Sequence, residues 1–282
     1  MTIEVDSLPD YAVCTPYWGA LDVEHHDCKA WLRRAMPTIR QYRITGCAYI
    51  DMARSALVRL VELGGHRGLV FVDHDILFQP ADVAGLITAA EETGAVVSGV
   101  YCMRKSGDRL IGGFGAWRDG SPVQRATFFD GGGLYPAAYS GLGFTAIPWR
   151  VIERVVEHFG MRRIGLPIAE SKGDQDTGAV DRGWPLFALD TSGDYYMGED
   201  VSFCARVKAA GCDVLLDTRA KLYHKGSYRY GIEDANVVVP RASRLDVELC
   251  RQAPPLVAAD AEKYEGLSEP SAVQLPPHRR II

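Results

Sequence analysis

The sequence lacks most of the signatures that announce a function. Its seven cysteines, Cys14, Cys28, Cys47, Cys102, Cys204, Cys212 and Cys250, include no CxxC pair. An odd, widely spaced set is a poor disulfide framework and has no zinc-knuckle spacing, so it reads as reduced thiols in a cytoplasmic protein. No GxGxxG follows the first apolar run and no GxxxxGK[ST] occurs, which removes the main evidence for a dinucleotide or P-loop site. Neither Ser98 nor Ser140 lies in a GxSxG elbow. No apolar run approaches transmembrane length, and MTIEVDSLPD is acidic where a signal peptide needs a basic region. Nor is there a basic excess: 36 acidic against 31 basic residues give a net charge of -5. That balance supplies no general attraction to nucleic acid or an anionic membrane.

What the chain does have is an ordinary globular composition, 47% hydrophobic and 24% charged over 282 residues. That length suits one large α/β domain, alone or with an appendage. YAVCTPYWG reads as a first strand running into a loop, LVFVDHD as a continuously apolar central strand, and AVVSGVY as a third. Between them Met52 to Leu63 and Ala81 to Thr93 have helical periodicity, stopped by Gly64-Gly65 and Gly94. This is the βαβ rhythm of a layered, mostly parallel sheet. Residues 104–140 read as hairpins and loops, GLGFTAI as a strand, and Trp149 to Phe159 as a helix closed by Gly160. Residues 161–194 read as a long surface excursion. YYMGEDVSFCARVKAAGCDVLLD then fits a loop, a helix capped by Asp200 and a strand, with KLYHKG following. We divide the chain into a domain over 8–235 and a proline-containing arm or tail over 236–282.

The chemistry gathers on carboxylates. Asp73 and Asp75 share one side of a strand if that geometry continues through them, and emerge where open α/β sheets put ligands. Two converging carboxylates repel unless a proton or cation neutralises them, and a hard divalent metal does so with positions left for phosphate oxygens. The alternative is that Asp73 caps a turn and Asp75 is solvated. Glu199-Asp200 opens a second acidic cluster at a helix start, where Asp200 is either a cap or part of a site. His224 follows a strand, and its neutral imidazole completes a metal site if it reaches the Asp pair. Arg54 lies near the start of a helix that Asp51 caps. A cation there gains nothing from the helix dipole, so its partner is a phosphate, a buried carboxylate or solvent. Gly141 and Gly143 in SGLGF permit close backbone approach to a ligand or serve a turn.

In order, YAVCTPYWG, DMARSALVRLVEL, LVFVDHDILFQPADV, SGVY, YSGLGFTAI and MGEDVSFCARVKAAGCDVLLDTRAKLYHKG resemble nucleotide-sugar glycosyltransferases of the GT-A fold, family 2-like bacterial and phage type. The resemblance implies a single α/β/α sandwich with a mostly parallel central sheet. It implies that Thr15, Pro16 and Tyr17 surround the nucleoside, with Arg54 on the base or phosphate side. Asp73 and Asp75 become the DxD pair, Asp75 on the metal and Asp73 helping through ribose, water or the metal. His224 joins the metal, Mn2+ or Mg2+. Gly141 and Gly143 lie near the donor sugar, Lys105 near the diphosphate, and Glu199 or Asp200 acts as base, with Asp200 preferred.

The implied activity is transfer of a hexose from a UDP- or GDP-sugar to an acceptor hydroxyl on a saccharide, metabolite, protein or modified nucleic acid. Two readings compete: a nucleotidyltransferase, and a non-catalytic nucleotide-binding protein of the same fold. The arm over 236–282 suggests a homo-oligomer. ARS stands where the family more often has ARN, and 161–194 matches no acceptor region of that family.

Overall fold

A computed structural model of the chain describes residues 8–17, 22–102, 110–111, 117–118, 121–122, 132–166, 182–191, 196–226 and 229–231. The first part of the chain forms β1 (Tyr11–Tyr17), α1 (Val23–Ala35), β2 (Arg40–Thr45), α2 (Ile50–Gly64), β3 (Gly68–Val72), β4 (Ile76–Leu77), α3 (Pro80–Thr93) and β5 (Val96–Gly99). The middle adds β6 (Tyr101–Cys102), β7 (Leu110–Ile111), β8 (Trp117–Arg118), β9 (Ser121–Pro122), β10 (Leu134–Ala137), β11 (Phe144–Pro148), α4 (Trp149–His158) and β12 (Ile164–Gly165). It ends with β13 (Arg182–Gly183), α5 (Glu199–Ala209), β14 (Val214–Asp217), β15 (Tyr223–Lys225) and β16 (Arg229–Tyr230).

The main sheet has seven strands in the order β10-β14-β5-β11-β3-β1-β2. β1, β2, β3, β5 and β14 run one way, and β11 and β10 run against them. Strands β1, β3, β5 and β11 are buried along their whole length, which is why they read as unbroken apolar runs. Period-two alternation sends Ala12, Cys14, Leu69 and Phe71 to a core built with α2, α4 and α5. Tyr11, Val13, Val70 and Val72 enter a second core with α1 and α3. The result is the expected α/β/α sandwich with a mostly parallel sheet. Among the described residues no helix is long and apolar enough to cross a membrane. Small ladders flank the sheet, and one of them, β16-β15-β4, matters for the site.

Several local expectations need correction. Thr15, Pro16 and Tyr17 are not a loop but the last three residues of β1, paired with Arg43, Ile44 and Thr45 of β2. Asp51 does not cap α2; Tyr49 occupies that position without a side-chain bond, and Asp51 sits in the first turn. Asp200 does not cap α5; Gly198 does, and Glu199 and Asp200 are the first helical residues. The strand after LVFV stops at Val72 instead of running through the aspartates. The capping glycines fared better: Gly65 and Gly94 end α2 and α3 in the left-handed conformation, at φ 69° and 70°. Lys105, the arm over 236–282 and most of the 161–194 excursion lie outside the described residues.

Gly68 opens β3 against a tight neighbour. A Cβ there would lie 2.4 Å from the fully buried Tyr11 ring and 2.8 Å from the Ile147 carbonyl oxygen. Gly68→Ala is therefore expected to destabilise the fold by roughly 1–3 kcal/mol, as overpacking does. Gly85, exposed on α3 with open space around it, is the control: Gly85→Ala should stabilise by about 0.5–1 kcal/mol. Urea unfolding of the two variants checks both signs.

Candidate functional site

The carboxyl ends of β1, β3 and β5 meet at one edge of the sheet. β11 runs the other way, so its leading residue Gly143 reaches the same edge. Asp73 leaves β3 and enters a turn closed by the Ile76 N–H bonding to the Asp73 carbonyl at 3.0 Å. That turn sends the two aspartates to different partners. Arg54, buried to 2% exposure one turn into α2, donates from Nη2 to Asp73 Oδ2 at 3.0 Å. Its guanidinium carbon lies 5.0 Å from the Phe71 ring centre, and Nη1 points to the Leu142 carbonyl at 3.5 Å. Of the partners open to Arg54 in the sequence, the structure selects a carboxylate. Asp73 Oδ1 stays buried with no hydrogen-bond partner among the described residues.

Asp75 turns toward His224. Its Oδ2 lies 3.4 Å from His224 Nε2, with both side chains 9% exposed. His224 Nδ1 is 2.7 Å from the Cys102 carbonyl. A carbonyl can only accept, so Nδ1 carries a proton and Nε2 presents its other face to the carboxylate. Unless Nε2 is also protonated, two lone pairs face one another, and a cation between them satisfies both. A backbone carbonyl fixing the tautomer of a metal-ligating histidine is a common supporting arrangement. Carboxylate oxygen and imidazole nitrogen suit a borderline divalent cation. Of the two ions expected, Mn2+ tolerates the imidazole nitrogen better than the harder Mg2+, so the pair would suit Mn2+ if other oxygens filled its remaining positions. Among the described residues no group of three or more His, Cys, Asp or Glu side chains could hold a metal ion, and Asp73 is engaged by Arg54 instead of joining the pair.

Tyr101 joins the two halves. Its ring meets the His224 ring edge-on, with centroids 5.4 Å apart at 85°. Its hydroxyl accepts the Gly143 N–H at 2.9 Å. Burial, and then the charges of Asp73 and Asp200, push its phenol well above the usual range, so it stays neutral. Gly143 is needed for space: a Cβ there would sit 2.3 Å from the Tyr101 hydroxyl and 3.1 Å from Asp73 Oδ2. Gly141, two residues earlier, gives its carbonyl to Thr145 Oγ1 at 3.2 Å.

Glu199 and Asp200 open α5 facing this group. Both carboxyls titrate above their ordinary range, chiefly because burial disfavours the charged form. Asp200 and Asp73 raise Glu199 further, while Arg54 pulls both carboxyls down. Arg54, Asp73, Glu199 and Asp200 are thus one electrostatic group. On the β1 side Thr15 Oγ1 receives Lys29 Nζ at 3.3 Å, and the Tyr17 ring lies 5.2 Å from that of His74. His74 accordingly faces β1 and not the Asp75–His224 pair.

Sequence reasoning missed Tyr101, the Cys102 carbonyl, Lys29 and His25. His25 is fully buried, with Nδ1 bonded to the Ile76 carbonyl at 3.0 Å and Nε2 without a partner among the described residues; burial lowers its pKa to about 4. For Tyr101 a signal existed, an aromatic just past a strand end at the sheet edge that carries the aspartates. Nothing in the pattern marked the others.

Two outcomes follow from this geometry. Arg54→Ala strands Asp73 beside a cavity and should cost roughly 3 kcal/mol in chemical denaturation; adding Asp73→Asn should recover part of that loss. A carboxylate whose folded pKa is raised binds more protons when folded, so its charge subtracts stability as pH rises past the unfolded value. Asp200→Asn should therefore raise Tm by a few degrees at pH 7, and the gain should fade as pH falls toward about 4. Thermal scans at the two pH values measure it.

No protein-family model matches the chain, and no curated protein matches it. Among solved structures it is similar to one described as A197 from STIV, at 15% identity over 86% of this chain and 96% of that one, with a TM-score of 0.46. It is also similar to GalNAc-T7 with UDP, GalNAc and Mn2+, at 11% identity and a TM-score of 0.42 over 84% of this chain, spanning 46% of that one. A third is apo-UDP-glucose pyrophosphorylase, at 9% identity over 76% of each chain and a TM-score of 0.36.

Proposed function

We propose that the chain is a metal-dependent glycosyltransferase that moves a sugar from a UDP- or GDP-sugar to an acceptor hydroxyl. The observation that carries the reading is the Asp75–His224 pair. An oxygen and a tautomer-fixed nitrogen face each other at 3.4 Å, at the strand edge where Glu199 and Asp200 also gather. A divalent cation held there supplies Lewis-acid stabilisation of the negative charge that develops on a departing diphosphate. Every other contribution comes from the chain itself.

Arg54 fixes Asp73 through their ion pair, so that Asp73 can accept from a ribose hydroxyl or an ordered water. Thr15, Pro16 and Tyr17 line the nucleoside side at the end of β1. Gly141 and Gly143 lie near the donor sugar in this reading, and a side chain at Gly143 would collide with the Tyr101 hydroxyl and crowd Asp73. Lys105 belongs to the diphosphate in this reading. Asp200 takes the proton from the acceptor hydroxyl. Burial, which raises its pKa, makes it a stronger base than a solvated aspartate. Glu199 beside it tunes that basicity through its charge. An in-line attack assisted by such a base inverts the anomeric centre.

Thermal shift against nucleoside diphosphates and their sugar conjugates, each with and without Mn2+, tests the reading. A stabilisation by UDP or GDP that requires Mn2+, and that Asp75→Ala removes, is the expected result. Turnover of the matching nucleotide-sugar should release the nucleoside diphosphate. Its rate should fall with decreasing pH along a limb set by Asp200, and Asp200→Asn should reduce it by at least about 100-fold. Release of pyrophosphate instead would make the chain a nucleotidyltransferase. Absence of any Mn2+-dependent shift would overturn the metal reading.

A further inference from the structure

We infer that Glu24, on the first turn of α1, is a positioning residue for the Asp75–His224 pair: it clamps the strand that carries His224 through ion pairs to Lys225 and Arg229. The inference rests on the metal reading of that pair for its functional meaning, although the clamp itself is a matter of geometry.

β15 is a poorly anchored place for a metal ligand. It is three residues long and lies in a small ladder apart from the main sheet, between β4 and β16. β4 supplies only two residues of pairing, Ile76 opposite His224 and Leu77 opposite Tyr223. β16 supplies two more, Tyr230 opposite His224 and Arg229 opposite Lys225. Ladders of this length are marginal unless side chains secure them. The hydrogen bond that sets the register beside the site is Lys225 N–H to the Asp75 carbonyl at 2.6 Å. It ties the residue after His224 directly to the other member of the pair.

Glu24 closes this arrangement from a third element. Lys225 Nζ lies 2.6 Å from Glu24 Oε2 and 3.7 Å from Asp22 Oδ2. Arg229 grips the same carboxylate with two donors, Nε to Oε2 at 3.0 Å and Nη2 to Oε1 at 2.6 Å. One carboxylate thus holds both strands of the β15–β16 hairpin, about 200 residues away in sequence. Asp22 is itself fixed, because it caps α1 by accepting the His25 N–H at 3.0 Å. His25 in turn bonds to the Ile76 carbonyl, next to Asp75. α1 is therefore attached to both sides of the metal pair: through His25 to the Asp75 turn, and through Glu24 to the His224 strand. Isolated exposed ion pairs contribute little to global stability, but a forked arginine and a lysine on one carboxylate restrict a short hairpin locally.

Amide hydrogen exchange on the full chain, without metal, tests the clamp directly. In Glu24→Gln, and equally in Arg229→Gln, the Lys225 amide should exchange several-fold faster while Tm and the exchange of β3 amides stay at wild-type values. Raising NaCl from about 0.05 M to about 0.5 M should reproduce that acceleration in the wild type and add nothing in Glu24→Gln, since salt screens the same pairs. Mn2+ titration should then give a Kd about tenfold weaker for the variant, the usual scale for loss of a supporting contact. An unchanged Lys225 amide in Glu24→Gln, or acceleration spread equally over β3, would overturn the proposal. If the wild type takes up no Mn2+, the metal reading falls, and the exchange comparison still decides the clamp.

Discussion

The site depends first on a single buried cation. Arg54 is 2% exposed, yet it compensates a group of carboxylates assembled from two separate parts of the chain: Asp73 by direct contact, Glu199 and Asp200 through their fields. Its Asp73 partner and the two α5 carboxylates hold its own pKa up against the burial that would lower it. A buried charge of this kind is costly by itself and is retained only when its partners are in place. The partners have the same dependence in reverse. Without Arg54 the edge of the sheet would collect acidic groups with no fixed counter-charge, and those buried in it would take up protons. α2, the Asp73 turn after β3 and the loop before β11 are consequently held in one relative arrangement by electrostatics as much as by packing.

Much of this fold was legible because the central strands β1, β3, β5 and β11 of its main sheet are buried on both faces. YAVC, LVFV and AVVSG announce themselves as continuous apolar runs, and glycines at left-handed positions mark where α2 and α3 stop. Legibility fails where burial is one-sided or slight. α1, VEHHDCKAWLRRA, buries only His25 and Leu32 and was not recognised as a helix. β2, RQYRIT, is an edge strand with polar alternation and was likewise passed over. Those omissions had a price for the site, because α1 carries Asp22, Glu24, His25 and Lys29. The DxD spacing misleads about the backbone that carries it. Asp73 and Asp75 do not share a strand face; a turn separates them, and that turn gives one to Arg54 and the other to His224. Pairing of this kind across 149 positions, 224 against 75, leaves no local trace, so the residues alone make it conditional on His224 reaching the Asp pair, and the resemblance between whole motifs supplies the link.

The polar groups of the molecule also divide in a telling way. Directly behind the Gly141–Gly143 loop, Ser98 Oγ bonds to Ser140 Oγ at 2.6 Å and to Thr145 Oγ1 at 2.8 Å, and Thr145 bonds on to the Gly141 carbonyl. These hydroxyls are buried and mutually satisfied, which is how interior polar groups normally persist. In front of the same loop the accounting is left open. Asp73 Oδ1 has no partner among the described residues, Asp75 faces His224 at 3.4 Å, and burial raises the pKa of two carboxyls on α5. Unsatisfied buried polar groups are few in native proteins, and beside the loop Asp73 Oδ1 and Arg54 Nε are two of them, with others among the described residues on Tyr17, Gln41 and Arg163. The contrast across the loop is therefore one of charge: the wall behind it is neutral and satisfied, while the edge before it carries a buried ion pair and two carboxyls whose charged form burial disfavours.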